Sequence, residues 1–126
     1  MIRMSGAFVI LAHSGHGPLH YDLMLEEGTS LATWQLPCRP AELPPGQAVN
    51  APRLPNHRTA YLTYEGPVSR GRGHVRRVDA GACESLSTEQ HRVVVRLRGR
   101  AGQDVLELCC DDVGDWTVRR LTAPPE

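Results

Sequence analysis

Two residues with metal-binding side chains lie two positions apart in the apolar segment formed by residues 19–26. Alternation along a strand places His20 and Asp22 on the same face, opposite the apolar side chains. An imidazole beside a carboxylate is a typical ligand pair for a divalent metal, and His13 or His16 in the preceding turn could supply a third ligand. Because such short patterns also arise by chance on exposed strands, a solvated polar face is the alternative interpretation of the pair alone.

A second group of polar residues, His57 and Tyr61, follows a proline-rich stretch. His57 could act as a general acid or donate a hydrogen bond to a phosphate oxygen, and the Tyr61 hydroxyl could bind the same group. The alternative is that Tyr61 and Tyr64 are ordinary strand aromatics and that His57 caps a turn. The pair therefore indicates phosphate chemistry only together with other motifs.

A glycine- and arginine-rich stretch covers residues 69–73. Glycine lets a ligand approach the backbone closely, and guanidinium groups bind phosphate with paired hydrogen bonds. Arg70 and Arg72 therefore predict contact with an anionic polymer such as nucleic acid. The stretch lacks the lysine-containing pattern of a nucleotide-binding P-loop.

The elements that position these residues are predicted to be strands, because apolar residues recur with a period of two rather than 3.6. Many short strands separated by turn residues are typical of a closed antiparallel barrel or a sandwich. No segment predicts a convincing amphipathic helix, although residues 85–90 could form one turn. The candidate strands are residues 7–12, 19–26, 30–36, 59–64, 74–79, 91–97, 105–110 and 116–121.

Residues 37–55 are rich in proline and predict a long irregular loop over the body of the domain. The 126 residues suit one domain, residues 1–126. We therefore expect an all-β fold, a compact antiparallel β-barrel of about eight short strands with this long proline-rich loop.

Composition limits the class of function. Fourteen arginines balance fourteen acidic residues, and a net charge of zero argues against coating nucleic acid by bulk charge, although not against a local basic patch. No apolar run is long enough for a membrane span, so we expect no membrane partner. The four cysteines lack zinc-ribbon spacing, which favours free thiols in a reducing cytoplasm.

Taken together, the motifs resemble the 3′-phosphoesterase domain of bacterial DNA ligase D, which also occurs as a stand-alone protein. The order and most of the spacings agree from about Phe8 to Gly81, and four motifs in register are more specific than any one of them. The matching stretches are Phe-Val-Ile-Leu-Ala-His at residues 8–13, Leu-His-Tyr-Asp-Leu-Met-Leu-Glu at residues 19–26, Trp34 with Pro37 and Pro40, His57 with Tyr61, and Tyr-Glu-Gly at residues 64–66.

The resemblance implies a compact β-barrel with a metal of the manganese type, or another divalent transition metal such as zinc or cobalt. It implies trimming of DNA or RNA–DNA 3′ ends during repair, in which a 3′-phosphate or a terminal ribonucleoside is removed. Carried over residue by residue, His13, His20 and Asp22 correspond to metal ligands, and His13 is preferred to His16 because its distance from Phe8 fits the family.

The resemblance also assigns His57 and Tyr61 to the scissile phosphate, and it implies that a separate ligase or polymerase is a possible partner. Met24 and Glu26, which share a strand face with His20 and Asp22, are expected to be structural residues near the site.

Three features depart from the family. The interval between His13 and His20 is one residue longer, and the segment between Gly66 and Asp79 is shorter and more basic. Met24 stands where the family has an active-site arginine, and a thioether cannot offset phosphate charge.

Two other functions remain as alternatives. One is a non-catalytic module that binds nucleic-acid ends, which the Met24 substitution favours. The other is a non-haem iron oxygenase, whose metal takes two histidines and a carboxylate, with His74 or His91 as the distant ligand. The oxygenase leaves the motifs around Trp34 and His57 unexplained.

Overall fold

Short β-strands make up most of residues 6–100 and 102–121, the part of the chain that the structure, a computed structural model, describes. Two short 3₁₀ helices, at Pro40–Glu42 and Thr59–Leu62, interrupt the strands. Among the described residues no helix is long and apolar enough to cross a membrane. The strands are β1 (Gly6–Ser14), β2 (His20–Glu27), β3 (Ser30–Leu36), β4 (Val49–Asn50), β5 (Arg53–Arg58), β6 (Gly66–Pro67), β7 (His74–Glu89), β8 (Arg92–Gly99), β9 (Gly102–Cys110) and β10 (Trp116–Leu121).

All pairings between these strands are antiparallel, in the order β4-β10-β9-β8-β7-β1-β2-β3-β5, with β6 paired to β7. The two ends of this order, β4 and β5, belong to one stretch of chain. Between them the Ala51 N–H donates to the Trp116 carbonyl, and the Gln35 N–H donates to the Pro52 carbonyl, both at 2.9 Å. Residues 49–58 therefore join the two edges of the sheet, and the predicted all-β, barrel-like antiparallel fold is confirmed.

The main core fills the concave face of the sheet. Period-two alternation sends Leu23 and Leu25 of β2 into it, beside Phe8 and Ile10 of β1. Trp34 is fully buried there, and its ring meets the Trp116 ring edge-on, with 5.5 Å between centroids.

A second, smaller core lies on the opposite face of β1 and β2. Val9, Leu11, Met24, Leu31 and Val75 form it, and each is at most 4% exposed. Residues 61–68 cover it, with Tyr61, Leu62 and Val68 packed against the cluster. Both faces of β1 are therefore buried, which explains why residues 7–12 are apolar without interruption.

Residues 59–64, expected to be a strand, are instead the 3₁₀ helix Thr59–Leu62 followed by a turn, so that prediction is wrong. Tyr61 and Leu62 both pack on the second core, whereas neighbouring residues of a strand would point to opposite faces.

The proline-rich stretch is also more regular than predicted. It contains β4, a 3₁₀ turn and the start of β5. β5 tolerates Pro55 because it is an edge strand, where a missing N–H costs no ladder hydrogen bond.

Two further expectations need correction. The strand predicted at residues 74–79 continues to Glu89 as β7, so residues 85–90 form no helical turn. Its length lets β7 pair with β1 through its first half and with β8 through its second. β2 begins at His20, and Leu19, expected on the apolar face, is 55% exposed.

The buried carboxylate of Glu107 on β9 links this strand to its neighbours β8 and β10. Glu107 accepts a hydrogen bond from Arg92 Nε at 2.7 Å and another from Arg119 Nη2 at 2.5 Å. Burial of Glu107 by itself raises its pKa, but the two guanidiniums outweigh burial and hold the pKa below the usual value of 4.5.

We predict that Glu107→Gln lowers the free energy of unfolding at pH 7 by about 1–2 kcal/mol, less than for a fully enclosed pair because both arginines reach solvent. A carboxyl with a lowered folded pKa contributes stability above its unfolded pKa, and this is lost as the pH falls through the folded value. The difference in the free energy of unfolding between variant and wild type, measured by urea denaturation, should therefore shrink towards acid pH.

The matched control is Glu84→Gln, because the Glu84 carboxylate pairs with Arg96 but is 52% exposed. Glu84→Gln should lower the free energy of unfolding by less than about 1 kcal/mol. Equal losses in the two variants would contradict the stabilising role of the Glu107 network.

Candidate metal centre and its pocket

The β1–β2 hairpin brings the three predicted metal ligands together. His13 near the end of β1 is the cross-strand partner of His20 at the start of β2. Asp22 lies two residues further along β2, on the same face as His20. The side chains of all three therefore project from one end of the hairpin into the same space.

The distances within this cluster suit a single shared ion. His13 Nδ1 lies 3.4 Å from Asp22 Oδ2, and His20 Nε2 lies 3.4 Å from Asp22 Oδ1. The two imidazole centroids are 4.7 Å apart, and the candidate ligand atoms all lie within 4.8 Å of one another. One ion could contact all three residues.

Backbone carbonyls fix which nitrogen of each imidazole faces the cluster. His13 Nε2–H donates to the Arg72 carbonyl at 2.6 Å, and His20 Nδ1–H donates to the Pro18 carbonyl at 3.1 Å. Because a carbonyl only accepts, the proton of each neutral ring is assigned to that nitrogen, and the other nitrogen keeps its lone pair. This is the usual outer-shell arrangement of metal-binding histidines.

The environment of the Asp22 carboxylate favours a bound cation. It is 3% exposed, and within the described part of the chain its Oδ1 has no hydrogen-bond partner. Burial raises the pKa of Asp22 above its usual value, while the nearby His20 and His13 act in the opposite direction. Imidazole lone pairs facing carboxylate oxygens repel one another unless a positive charge lies between them, so the residues fit a divalent metal.

The cluster lies in a pocket of about 540 Å³. Residues of β5 and Tyr61 of the Thr59–Leu62 helix line it together with the hairpin, and so do Met24 and Val75 of the second core. A pocket of this size accommodates a small ligand or the end of a larger one.

His57 and Tyr61 line the same pocket as the metal ligands. His57 Nδ1–H donates to the Pro55 carbonyl at 2.9 Å, which leaves Nε2 available. Its ring meets the Tyr61 ring edge-on, with 5.5 Å between centroids. His57 is also close enough to Asp22 to lower the pKa of its carboxyl.

The other predicted site residues are scattered. Arg72 lines the pocket, but its guanidinium donates to the carbonyl and hydroxyl of Ser69. Arg70 lies at the loop tip with a left-handed backbone, φ 63°, and does not line the pocket. Glu26, at the other end of β2, accepts a hydrogen bond from the Ala7 N–H.

The remaining histidines lie outside the three-residue cluster. His16 lines the pocket, and its ring stacks on His13 with 6.1 Å between centroids. The distal histidines of the oxygenase alternative, His74 and His91, are both exposed. Within the described residues, the cluster that could hold a metal comprises His13, His20 and Asp22.

Sequence reasoning missed one charged residue of this pocket, Arg58. It directly follows His57 at the end of β5, and its guanidinium carbon lies 6.0 Å from the centroid of the Tyr61 ring. The signal was its position beside a candidate phosphate-binding histidine, between the predicted loop at residues 37–55 and the predicted strand at residues 59–64.

Fold and site together define a small antiparallel, barrel-like all-β fold with a candidate histidine–carboxylate metal site at one end of a hairpin. The model of one protein family, the DNA ligase D 3′-phosphoesterase domain, matches residues 12–109. The chain therefore belongs to that family, and this supports a role in processing DNA ends. None of the curated proteins matches the sequence.

We predict that Asp22→Asn abolishes binding of one divalent metal ion per chain, measured by isothermal titration with Mn²⁺. The variant should be more stable than the wild type without metal, because it removes the charge of a buried carboxylate whose Oδ1 has no hydrogen-bond partner among the described residues. It should lose the rise in thermal stability that bound metal gives the wild type.

The control is Asp112→Asn in the exposed turn before β10, which should leave both measurements unchanged. Undiminished metal stoichiometry in Asp22→Asn would refute the ligand assignment.

Proposed function

We propose that this protein is a metal-dependent phosphoesterase that removes a 3′-phosphate or a terminal 3′-ribonucleoside from DNA or RNA–DNA ends. The observation that carries the proposal is that one pocket is lined both by the His13–His20–Asp22 cluster and by His57 and Tyr61. Family membership points in the same direction. The donor set suits manganese, or zinc or cobalt, better than calcium or magnesium.

A divalent metal held by His13, His20 and Asp22 would supply Lewis acidity towards the phosphoryl group. The chain's own contribution begins with the orientation of these ligands. Carbonyls of Arg72 and Pro18 hold the two imidazoles in the required tautomers, and burial keeps competing water away from Asp22.

His57 is suited to proton transfer at the leaving group. Its Nδ1–H is held by the Pro55 carbonyl, so Nε2 is the nitrogen that exchanges protons in the pocket. In the proposed reaction water attacks phosphorus, and protonated Nε2 donates its proton to the departing oxygen. At a 3′-phosphate end the bond to the 3′ oxygen breaks, and the products are a 3′-hydroxyl and inorganic phosphate. At a ribonucleoside end the bond to the 5′ oxygen of that nucleoside breaks, and the products are the free ribonucleoside and a 3′-phosphate end, which is then hydrolysed in the same way.

Tyr61 is proposed to donate a hydrogen bond from its hydroxyl to a phosphate oxygen. Its ring packs on the second core and edge-on against His57, so its position is fixed by packing. Arg72 lines the same pocket and is proposed, with Arg70 on the exposed loop, to attract the nucleic-acid backbone.

Met24 supports a second candidate function, a module that binds nucleic-acid ends without turnover. Its side chain is 1% exposed and belongs to the second core, yet it borders the pocket where a phosphate would lie. A thioether provides neither charge nor a strong hydrogen bond there.

The proposed function is tested by incubating labelled primer–templates that end in a 3′-phosphate or a 3′-ribonucleotide with the protein and Mn²⁺. We expect a 3′-hydroxyl product that requires both protein and metal. Tight binding of these ends with no product under any transition metal would support the binding module instead.

We predict that His57→Ala binds Mn²⁺ with unchanged stoichiometry but turns over 10²–10⁴-fold more slowly, roughly the contribution of a proton-transfer group. Metal titration and single-turnover kinetics on a 3′-phosphate end measure the two effects separately. Loss of metal binding in this variant would contradict the proposed division of roles.

We predict that the wild type is a weak enzyme and that Met24→Arg raises its single-turnover rate on a 3′-phosphate end at saturating Mn²⁺. A guanidinium at this position would bind a phosphate oxygen, and the bond would strengthen as charge develops in the transition state. Removing both Arg70 and Arg72 from the wild type should lower the rate further.

Met24→Leu is the control, since it keeps an apolar side chain of similar volume and should leave the rate unchanged. Robust wild-type turnover that neither Met24→Arg nor the loss of both loop arginines alters would overturn this prediction.

A further inference from the structure

A second pocket of about 220 Å³ lies beside the metal pocket. Arg58 and Tyr61 line both pockets, so the two are contiguous. The second pocket is completed by Ala60, Tyr64, Pro67 and Ser69. None of the roles assigned above uses this space.

Besides Tyr61, which lines both pockets, the second pocket is lined by the aromatic side chain of Tyr64, which is accessible and held in place. Tyr64 is 37% exposed, which is a large fraction for an aromatic residue. The Tyr64 hydroxyl donates to the Pro67 carbonyl, and the ring lies edge-on to Tyr61 with 5.8 Å between centroids. A Cβ at Gly66 would lie 3.1 Å from the Tyr64 hydroxyl oxygen, so glycine there makes room for this arrangement.

The cation at the junction of the two pockets is Arg58. Its guanidinium lies beside the Tyr61 ring, and no carboxylate among the described residues forms an ion pair with it. Arg72, the other arginine of the metal pocket, is hydrogen-bonded to Ser69. Arg58 is therefore available to bind an anion between the metal centre and Tyr64.

An anchored aromatic ring next to an uncommitted guanidinium matches the repeating chemistry of a nucleotide strand, in which each planar base is followed by a phosphate. We propose that the second pocket binds the nucleotide on the 5′ side of the scissile phosphate, with Tyr64 stacking on its base and Arg58 contacting its 3′-phosphate. This inference rests on the proposed function for the identity of the ligand.

The proposal also adds Arg58 to the residues that could supply part of the charge that Met24 lacks. Met24 of β2 and Arg58 at the end of β5 both line the metal pocket. A phosphate in this pocket would then be within reach of both the candidate metal ligands and Arg58.

The base-stacking part is tested by fluorescence anisotropy with a labelled 3′-phosphate primer–template and metal-free protein in a chelator, so that no turnover occurs. Replacing the terminal nucleotide of the primer by an abasic one should weaken wild-type binding by about tenfold, the scale of one base–aromatic stack. Tyr64→Leu should bind the normal primer as weakly as the wild type binds the abasic one, and should not distinguish the two. Tyr64→Phe, which keeps the ring, should still distinguish them.

The phosphate part is tested with the same primer ending in a 3′-phosphate or a 3′-hydroxyl. Arg58→Ala should lose most of the preference for the phosphate, by about tenfold, and Arg58→Lys should recover part of it because the charge remains. Arg98→Ala, which removes an exposed arginine from β8, is the matched control and should keep the wild-type preference.

The proposal is overturned if the abasic substitution has the same effect in wild type and Tyr64→Leu, or if Arg58→Ala retains the preference for the 3′-phosphate. These measurements need no catalysis. Failure of Mn²⁺-dependent turnover with the binding pattern intact would remove the proposed function and leave the nucleotide subsite in place.

Discussion

The pairing of His13 with His20 across the β1–β2 hairpin is the constraint on which the site depends. A shift of one residue in this register would send Asp22 to the main core and Leu23 to the pocket, because side chains alternate along a strand. Such a shift is unfavourable because it would bury the Asp22 carboxylate among the apolar side chains of the main core. Burial of the hairpin therefore secures both the stability of the sheet and the geometry of the candidate metal centre. The cost is a buried Asp22 carboxylate, whose position is favourable only with a cation beside it.

The second core connects this hairpin to the other residues that line the pocket. Tyr61 of the Thr59–Leu62 helix packs on this core. The preceding strand β5 pairs with β3 and carries His57 and Arg58. The same stretch of chain joins the two edges of the sheet through its hydrogen bonds to β10 and β3. One segment, residues 49–62, thus both joins the edges of the sheet and carries the residues proposed to bind phosphate.

Much of the candidate site was predictable because its residues follow strand periodicity: His20 and Asp22 share a face by simple alternation, and the family motifs favoured His13 over His16. The strand β5 and the Thr59–Leu62 helix were not predictable, because their conformations depend on tertiary contacts with β3 and the second core rather than on local pattern. Arg70 shows what could not be predicted within a correctly predicted loop. A glycine-rich, basic stretch correctly indicated a loop, yet only the fold determines that Arg72 and Arg58 face the pocket while Arg70 does not.

The central claim is that His13, His20 and Asp22 bind one divalent metal at the base of a phosphate-binding pocket. Anomalous diffraction from crystals grown with Mn²⁺ tests it most directly, because it locates the ion without reference to activity. The account predicts one strong peak within coordination distance of His13 Nδ1, His20 Nε2 and an Asp22 carboxylate oxygen, with the Arg72 and Pro18 carbonyls still bonded to the outer nitrogens. A principal peak on other residues, or a metal bound through His13 Nε2 with the Arg72 hydrogen bond broken, would contradict it.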